Sequence, residues 1–286
     1  TKTKTKGETK YTFAGPEAAT ADKSKAFEAQ QMRDEGASRK EVWDKTGWWE
    51  IIPGSDVWSF ELDDSSLVFD YDKLTDNVFS DDNRNVPLTH VVKHPELFEA
   101  YPFLADIKIM NADVAGEKGG FMEGKKDSII TINKPSVTPE EARSVIIHEI
   151  QHAIQKHEGF AFGGSPWGSF KLDKENALKP FRASERIQQI YRQADEAHEK
   201  GDIKKAIELH DQADSETRFM GYQSLTGEAE ARLVQKRLRM TAEQRKAEAP
   251  WITLKGMMWE EGLLRNMYEN PEDVLISRDG TGAAMS

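Results

Sequence analysis

The sequence contains no cysteine. That excludes a disulfide framework and any thiolate ligand, so a metal site here must be assembled from histidine, aspartate or glutamate. It also lacks an apolar run of membrane-spanning length and an apolar stretch near Thr1, so the expectation is a protein without a membrane segment, not secreted by a signal peptide. Positive charge is in deficit: 39 Lys and Arg face 50 Asp and Glu, giving a formal net charge of -11. Coating a nucleic-acid backbone needs the opposite balance, so there is no strong case for a nucleic-acid partner. A chain opening at Thr1 rather than Met reads as a piece of something longer, or as a processed or engineered terminus.

What is present points to a globular protein with a charged surface, with 37% hydrophobic and 31% charged residues over 286 positions. That length allows one large domain or two modest ones. Residues 1–11 are basic and low in complexity, and are expected to be a disordered tail. Residues 17–45 read as helix broken near Gly36, with Ser38 and Glu41 forming a capping box. Across 38–64 the Trp-rich stretch TGWWEIIPGSDVWSFELDDS reads as a hairpin about Pro53-Gly54. Residues 64–86 read as a loop, and His94-Pro95 opens a short helix through Tyr101. Ile107–Met110 and Ile129–Ile132 read as two strands joined by a flexible loop carrying Gly116, Gly119, Gly120 and Gly124.

Residues 138–158 carry a full set of helix signals: Thr138 as N-cap, Pro139 at the first helical position, Glu141 completing a capping box, and Gly159 as the stop. A loop over Gly163–Gly168 follows. Residues 182–239 read as helical, with breaks at Gly201-Asp202 and near Gly221. The charged hairpin over 182–215 has Ile187, Ile190, Ala194, Ile203, Ala206, Ile207 and Leu209 as its apolar stripe. Thr241 with Gln244 caps a short helix that Pro250 is expected to end. From 251 to 286 periodicity is weak, and a partly disordered tail is expected.

The chemistry concentrates in His148-Glu149-Ile150-Gln151-His152. Residues four apart on a helix share a face, so both imidazoles can point at one ion. Glu149 then stands beside that ion, where a carboxylate can act as general base toward an acidified water. The competing reading is two surface histidines on an amphipathic helix. Val145, Ile146, Ile147, Ile150, Ala153 and Ile154 make the helix apolar over most of its circumference, which describes a buried helix. Buried His, Glu and His need partners, and a metal with water supplies them. A catalytic zinc site takes three protein ligands and keeps one open position. The third ligand is sought in Gly227-Glu228-Ala229-Glu230, where Glu228 is preferred and Glu230 is the alternative. Tyr222 is a candidate oxyanion stabiliser, with simple packing as the alternative. Among the other histidines, His157 reads as structural, His94 as capping or packing, and His90, His198 and His210 as exposed.

HEIQHAIQKHEGFAFGGS followed by GYQSLTGEAEAR resembles the zincin-like domain of large polyvalent proteins of phages and mobile elements. AGPEAATAD, EVWDKTGWW, WSFELDDS and HPELFEAYPFLADIKI are similar to the same domain's N-terminal portion, so the resemblance spans roughly 12–250. It implies an α+β, mainly α, gluzincin-type fold: a small mixed sheet, an HExxH active-site helix, an inserted helical hairpin, and a further helix giving a glutamate ligand. The family's Glu-x-x-Ala matches Glu228 to Ala231 and favours Glu228. The implied cofactor is one Zn2+ per chain, with Ile129–Ile132 as the edge strand receiving substrate. The implied activity is hydrolysis of a peptide bond in a protein or peptide substrate, and the catalytic residues read above for it are Glu149 and Tyr222. The alternative is a catalytically silent zincin-fold virion or DNA-ejection-associated binding protein. Expected neighbours are virion or polyprotein segments, and the expected location is the phage virion or, after delivery, the bacterial host cytoplasm.

Overall fold

The computed structural model describes residues 9–74, 85–111, 118–123, 128–133, 137–160, 178–179, 181–264, 270–271 and 274–275. These residues are α+β and mainly helical, with small sheets. The basic tail expected over 1–11, the loop Gly163–Gly168, and Gly116 and Gly124 lie wholly or mostly outside the described residues. The chain divides into two compact units, Thr1–Phe160 with Glu230–Thr253, and Ala161–Ala229 with Leu254–Ser286.

In the first unit, β1 (Phe13–Ala14) precedes two helices, α1 (Lys23–Asp34) and α2 (Arg39–Thr46). Helix begins at Lys23 rather than near 17, because the Asp22 side chain accepts from the backbone N–H groups of Ser24 and Lys25 and caps it there. The capping box of Ser38 and Glu41 forms as expected, and Gly47 ends α2 in the left-handed region at φ 79°. The Trp-rich hairpin also forms. Strand β2 (Trp48–Glu50) pairs antiparallel with β3 (Trp58–Glu61), placing Trp48 opposite Phe60 with ring centroids 4.7 Å apart. β1 adds to the other side of β3. Two residues give no alternation to read, so this strand is invisible in the sequence.

The expected loop over 64–86 holds β4 (Val68–Phe69), a 3-10 turn at Asp72–Leu74 and the start of β5 (Asn85–Pro87), while 75–84 lie outside the described residues. Then come α3 (Leu88–Val91), β6 (Val92–Lys93) and α4 (Pro95–Ala100), which His94 caps as expected by accepting from the Leu97 N–H. Strands β7 (Lys108–Asn111), β8 (Gly119–Glu123) and β9 (Ser128–Ile132) complete a four-stranded sheet of order β5-β7-β9-β8. β7 and β9 run parallel, and the other two pairs are antiparallel.

Two sequence expectations need correction here. The glycine-rich stretch is a strand over its described part, not a flexible loop. Gly119 is required there because a Cβ would collide with Val145 Cγ1 and stand 2.7 Å from the Thr131 carbonyl oxygen, so its glycine permits close approach rather than flexibility. Consequently Ile129–Ile132 is an inner strand, paired on both sides, and among the described residues the sheet edges are β5 and β8.

Helix α5 (Pro139–Glu158) packs on β8 and β9, with its Thr138–Glu141 capping box and Gly159 stop both formed. Ile146, Ile147, Ile150 and Ile154 are buried on it, and Ile109, Ile130 and Ile132 are buried on the sheet. Each such side chain contributes roughly 1.5–3 kcal/mol of burial. Gly15 allows the chain after β1 to meet the end of α5: the Glu158 carboxylate accepts from Gly15 N (3.2 Å), Glu17 N (2.9 Å) and Tyr101 Oη (2.5 Å). A Cβ at Gly15 would sit 2.5 Å from Glu158 Oε2.

In the second unit α6 (Glu185–Glu199) and α7 (Ile203–Gln223) form the expected hairpin about Gly201. Ile187, Ile190, Ala194 and Ala206 are buried, but Ile203 and Ile207 are about half exposed, at 50% and 56%. The apolar stripe therefore turns outward at the start of α7. The break expected near Gly221 falls at Ser224 and Leu225, between the end of α7 at Gln223 and the next helix at Thr226, so Gly221 itself lies within α7. A Cβ at Gly221 would collide with Leu178 Cδ2, so the glycine is there for packing. Helices α8 (Thr226–Leu238), α9 (Ala242–Ala247) and α10 (Pro250–Glu260) follow, and the division between units falls within α8 and α10. Pro250 opens α10 rather than simply ending α9, as its fixed φ suits a first helical position. The stretch after 251 lacks periodicity because α10 is apolar around most of its surface, with Leu254, Met257 and Met258 buried.

Asp64 ties the N-terminal strand to this frame. Its carboxylate accepts from Tyr11 N (2.7 Å), Thr12 N (3.0 Å) and Thr12 Oγ1 (2.6 Å), and lies 2.8 Å from His94 Nε2. The side chains of Asp64 and His94 are both fully buried. Replacing Asp64 by Ala would strand several buried donors, each costing about 1–3 kcal/mol. We expect Asp64→Ala to lose on the order of 3–5 kcal/mol of stability in urea unfolding, against under about 0.5 kcal/mol for the exposed Lys40→Ala.

Candidate metal centre

Helix α5 is long, capped at both ends and apolar on most faces, so its polar residues are carried into the interior by the burial of their neighbours. His148 and His152 stand one turn apart, and their Nε2 atoms approach to 3.0 Å. One donor atom from each of His148, His152 and Glu228 lies within 4.8 Å of the others. This three-residue group can hold a metal ion. Glu228 is buried, at 2% exposure, in the first turn of α8, and Glu149 is buried on α5 at 6%.

The geometry separates the two candidate third ligands. Glu230, also buried, is taken by two glutamines of α5: Gln151 Nε2 donates to Oε1 (3.2 Å) and Gln155 Nε2 donates to Oε2 (2.9 Å). Residues two apart on a helix cannot share a direction, so binding Glu230 to the glutamines turns Glu228 toward the histidines. α8 is one continuous helix, and the Glu230 hydrogen bonds anchor it to α5 two residues beyond Glu228. Burial pushes the Glu230 carboxyl up to about 7, against the opposing pull of the Gln155 and Gln151 hydrogen bonds and of His152.

This arrangement also orients His152. Because Gln155 Nε2 faces the Glu230 carboxylate, Gln155 Oε1 faces His152 Nδ1, at 2.9 Å. An amide oxygen only accepts, so Nδ1 carries the proton and Nε2 is left with its lone pair. That lone pair points at His148 Nε2 3.0 Å away. Either a proton or a cation must lie between two such atoms, and a metal ion would satisfy both, with the Glu228 carboxylate offsetting part of its charge. An outer partner that sets the ring tautomer is the usual support of a histidine ligand.

Gln151 and Gln155 support the candidate site, and the sequence reading passes over them although a signal is there. They lie four apart, and so on one face of α5, where a single buried partner can serve both. Gln151 also completes the edge of β1, because its Oε1 accepts from Phe13 N and its Nε2 donates to Phe13 O, each at 3.1 Å.

The remaining candidates are placed as follows. Tyr222 belongs to the second unit, in the last turn of α7, with its ring 6.0 Å from that of Phe219. His157 stacks on Phe103 at 4.4 Å, a packing role. His90, His198 and His210 are exposed, as expected.

Two variants test the ligand set and its support. Glu228→Ala should abolish one-to-one Co2+ binding in a spectroscopic titration. Gln155→Ala should retain the site but weaken Co2+ about 10–100-fold through loss of ring orientation. Full affinity in Glu228→Ala would return the ligand role to another residue.

Residues 11–70 match a family model described as large polyvalent protein associated domain 23. No curated protein and no solved structure matches the chain. The matched segment runs from just before β1 to just past β4, and so contains Phe13, the residue whose backbone Gln151 holds. That segment is thereby associated with large polyvalent proteins.

Proposed function

We propose that this protein is a zinc-dependent metallopeptidase that hydrolyses a peptide bond in a protein substrate, in the setting of a phage or mobile-element polyvalent protein. The observation that carries the reading is the convergence of His148, His152 and Glu228, with Glu149 on the same helix. Two imidazoles and one carboxylate are a donor set that fits zinc and leaves room for a fourth position. When bound, zinc supplies a Lewis acid that polarises a carbonyl and acidifies water.

The chain's own residues do the rest. Glu149 takes the proton of the attacking water as its oxygen adds to the carbonyl carbon. It returns that proton to the amide nitrogen as the C–N bond breaks, giving a carboxyl and an amine. Tyr222 serves as a hydroxyl donor to the developing oxyanion. Substrate aligns on β8, which is an edge strand among the described residues, while β9 is already paired on both sides. Gln155 and Glu230 act at one remove, by fixing the ring of His152. The protein acts either in the virion or in the host cytoplasm after delivery.

Zinc analysis of the purified protein should give about one ion per chain. His148→Ala should lose it. Glu149→Gln should keep the metal and lose cleavage by about a hundredfold or more, read by comparing the proteomes of host cells exposed to the wild type and to the variant. A Glu149→Gln protein that still processes its target would remove the peptidase reading.

A further inference from the structure

Away from the histidines, the first unit contains a cavity of about 520 Å³. That size falls within the range of small-molecule sites. Lys10, Lys25 and Lys246 reach it from three separate elements: the segment before β1, helix α1 and helix α9. None of the three makes a salt bridge among the described residues. Arg237 and Arg245 complete the cationic lining, and both are buried.

The carboxylates of the lining are already engaged. Asp22 caps α1, Asp44 is held by Lys40 at 2.6 Å, and Glu61 Oε1 accepts from Arg237 Nε (3.1 Å) and Nη2 (2.8 Å). Five cations therefore face three occupied carboxylates in a chain whose net charge is -11. Such a local reversal of sign in a concave, partly desolvated site favours an anion. The floor is also rigid. Arg237 Nη1 donates to the Glu248 carbonyl (2.9 Å) and Thr253 Oγ1 (3.0 Å), and Arg245 Nη1 donates to the Arg237 carbonyl (2.7 Å).

Part of the wall is aromatic. Trp43, Trp48 and Phe60 line it, with Trp43 and Phe60 partly exposed. Ammonium groups on flexible stems beside partly exposed aromatic faces suit a ligand having a phosphate at one end and a planar ring at the other. The overall negative charge of the chain disfavours a polynucleotide, so the ligand should be no larger than the cavity.

We propose that this cavity binds a small organic phosphate bearing a planar ring, of the nucleoside-monophosphate class. Isothermal titration of the full chain with AMP tests it. AMP should bind saturably at one site, with adenosine and inorganic phosphate each about tenfold or more weaker. The double variant Lys25→Glu/Lys246→Glu alters exposed positions and should keep its circular dichroism while losing about tenfold or more in AMP affinity. His148→Ala should bind AMP as the wild type does, which separates this site from the metal centre. No saturable heat up to about 5 mM AMP, or unchanged affinity in the double variant, would overturn the proposal. Adenosine binding as tightly as AMP would overturn the anionic assignment, and phosphate binding as tightly would overturn the aromatic one.

Discussion

The hydrogen bonds from Gln151 and Gln155 to Glu230 are the constraint on which the candidate metal centre rests. They lock α8 against α5 in one rotational setting, and that setting sends Glu228 toward His148 and His152. The same bonds orient the Gln155 amide, and through it the ring of His152. A buried carboxylate is costly unless its oxygens are satisfied, and here each oxygen has an amide donor. A half-satisfied network would be worse than an apolar core, so the glutamines and Glu230 stand or fall together.

Gln151 extends this network to the N-terminal strand. Its amide makes a donor and an acceptor contact with the Phe13 backbone, much as a neighbouring strand would. Asp64 fixes the residues immediately before, and Glu158 those immediately after. A two-residue strand has little stability of its own, so side chains far along the sequence supply its pairing. The segment associated with large polyvalent proteins is thus built into the support of the helix that carries the candidate metal centre.

The same N-terminal segment forms most of the wall of the cationic cavity. Buried Arg237 joins the two regions: it lies on α8, beyond the turn that carries Glu228, and its guanidinium reaches Glu61 on β3. One helix therefore offers a carboxylate at its start and a guanidinium toward its end, to two sites of opposite charge preference. The first suits a cation, and the second an anion with an aromatic part.

Much of this was legible in the sequence because it depends on local rules. The capping boxes at Ser38, Thr138 and Thr241, the stop at Gly159, and the Trp-rich hairpin all rest on contacts within a few residues. So does the pairing of His148 with His152, since helical spacing alone puts them on one face. Strands β1 and β8 were not legible: one is too short to alternate, and the other opens with Gly119, which Val145, a residue distant in sequence, crowds from outside the strand. The sequence preferred Glu228 over Glu230 only through a family pattern; the physical reason, the engagement of Glu230 by Gln151 and Gln155, came from the tertiary structure. Sequence spacing tells which residues share a face of a helix, but only packing decides what that face meets.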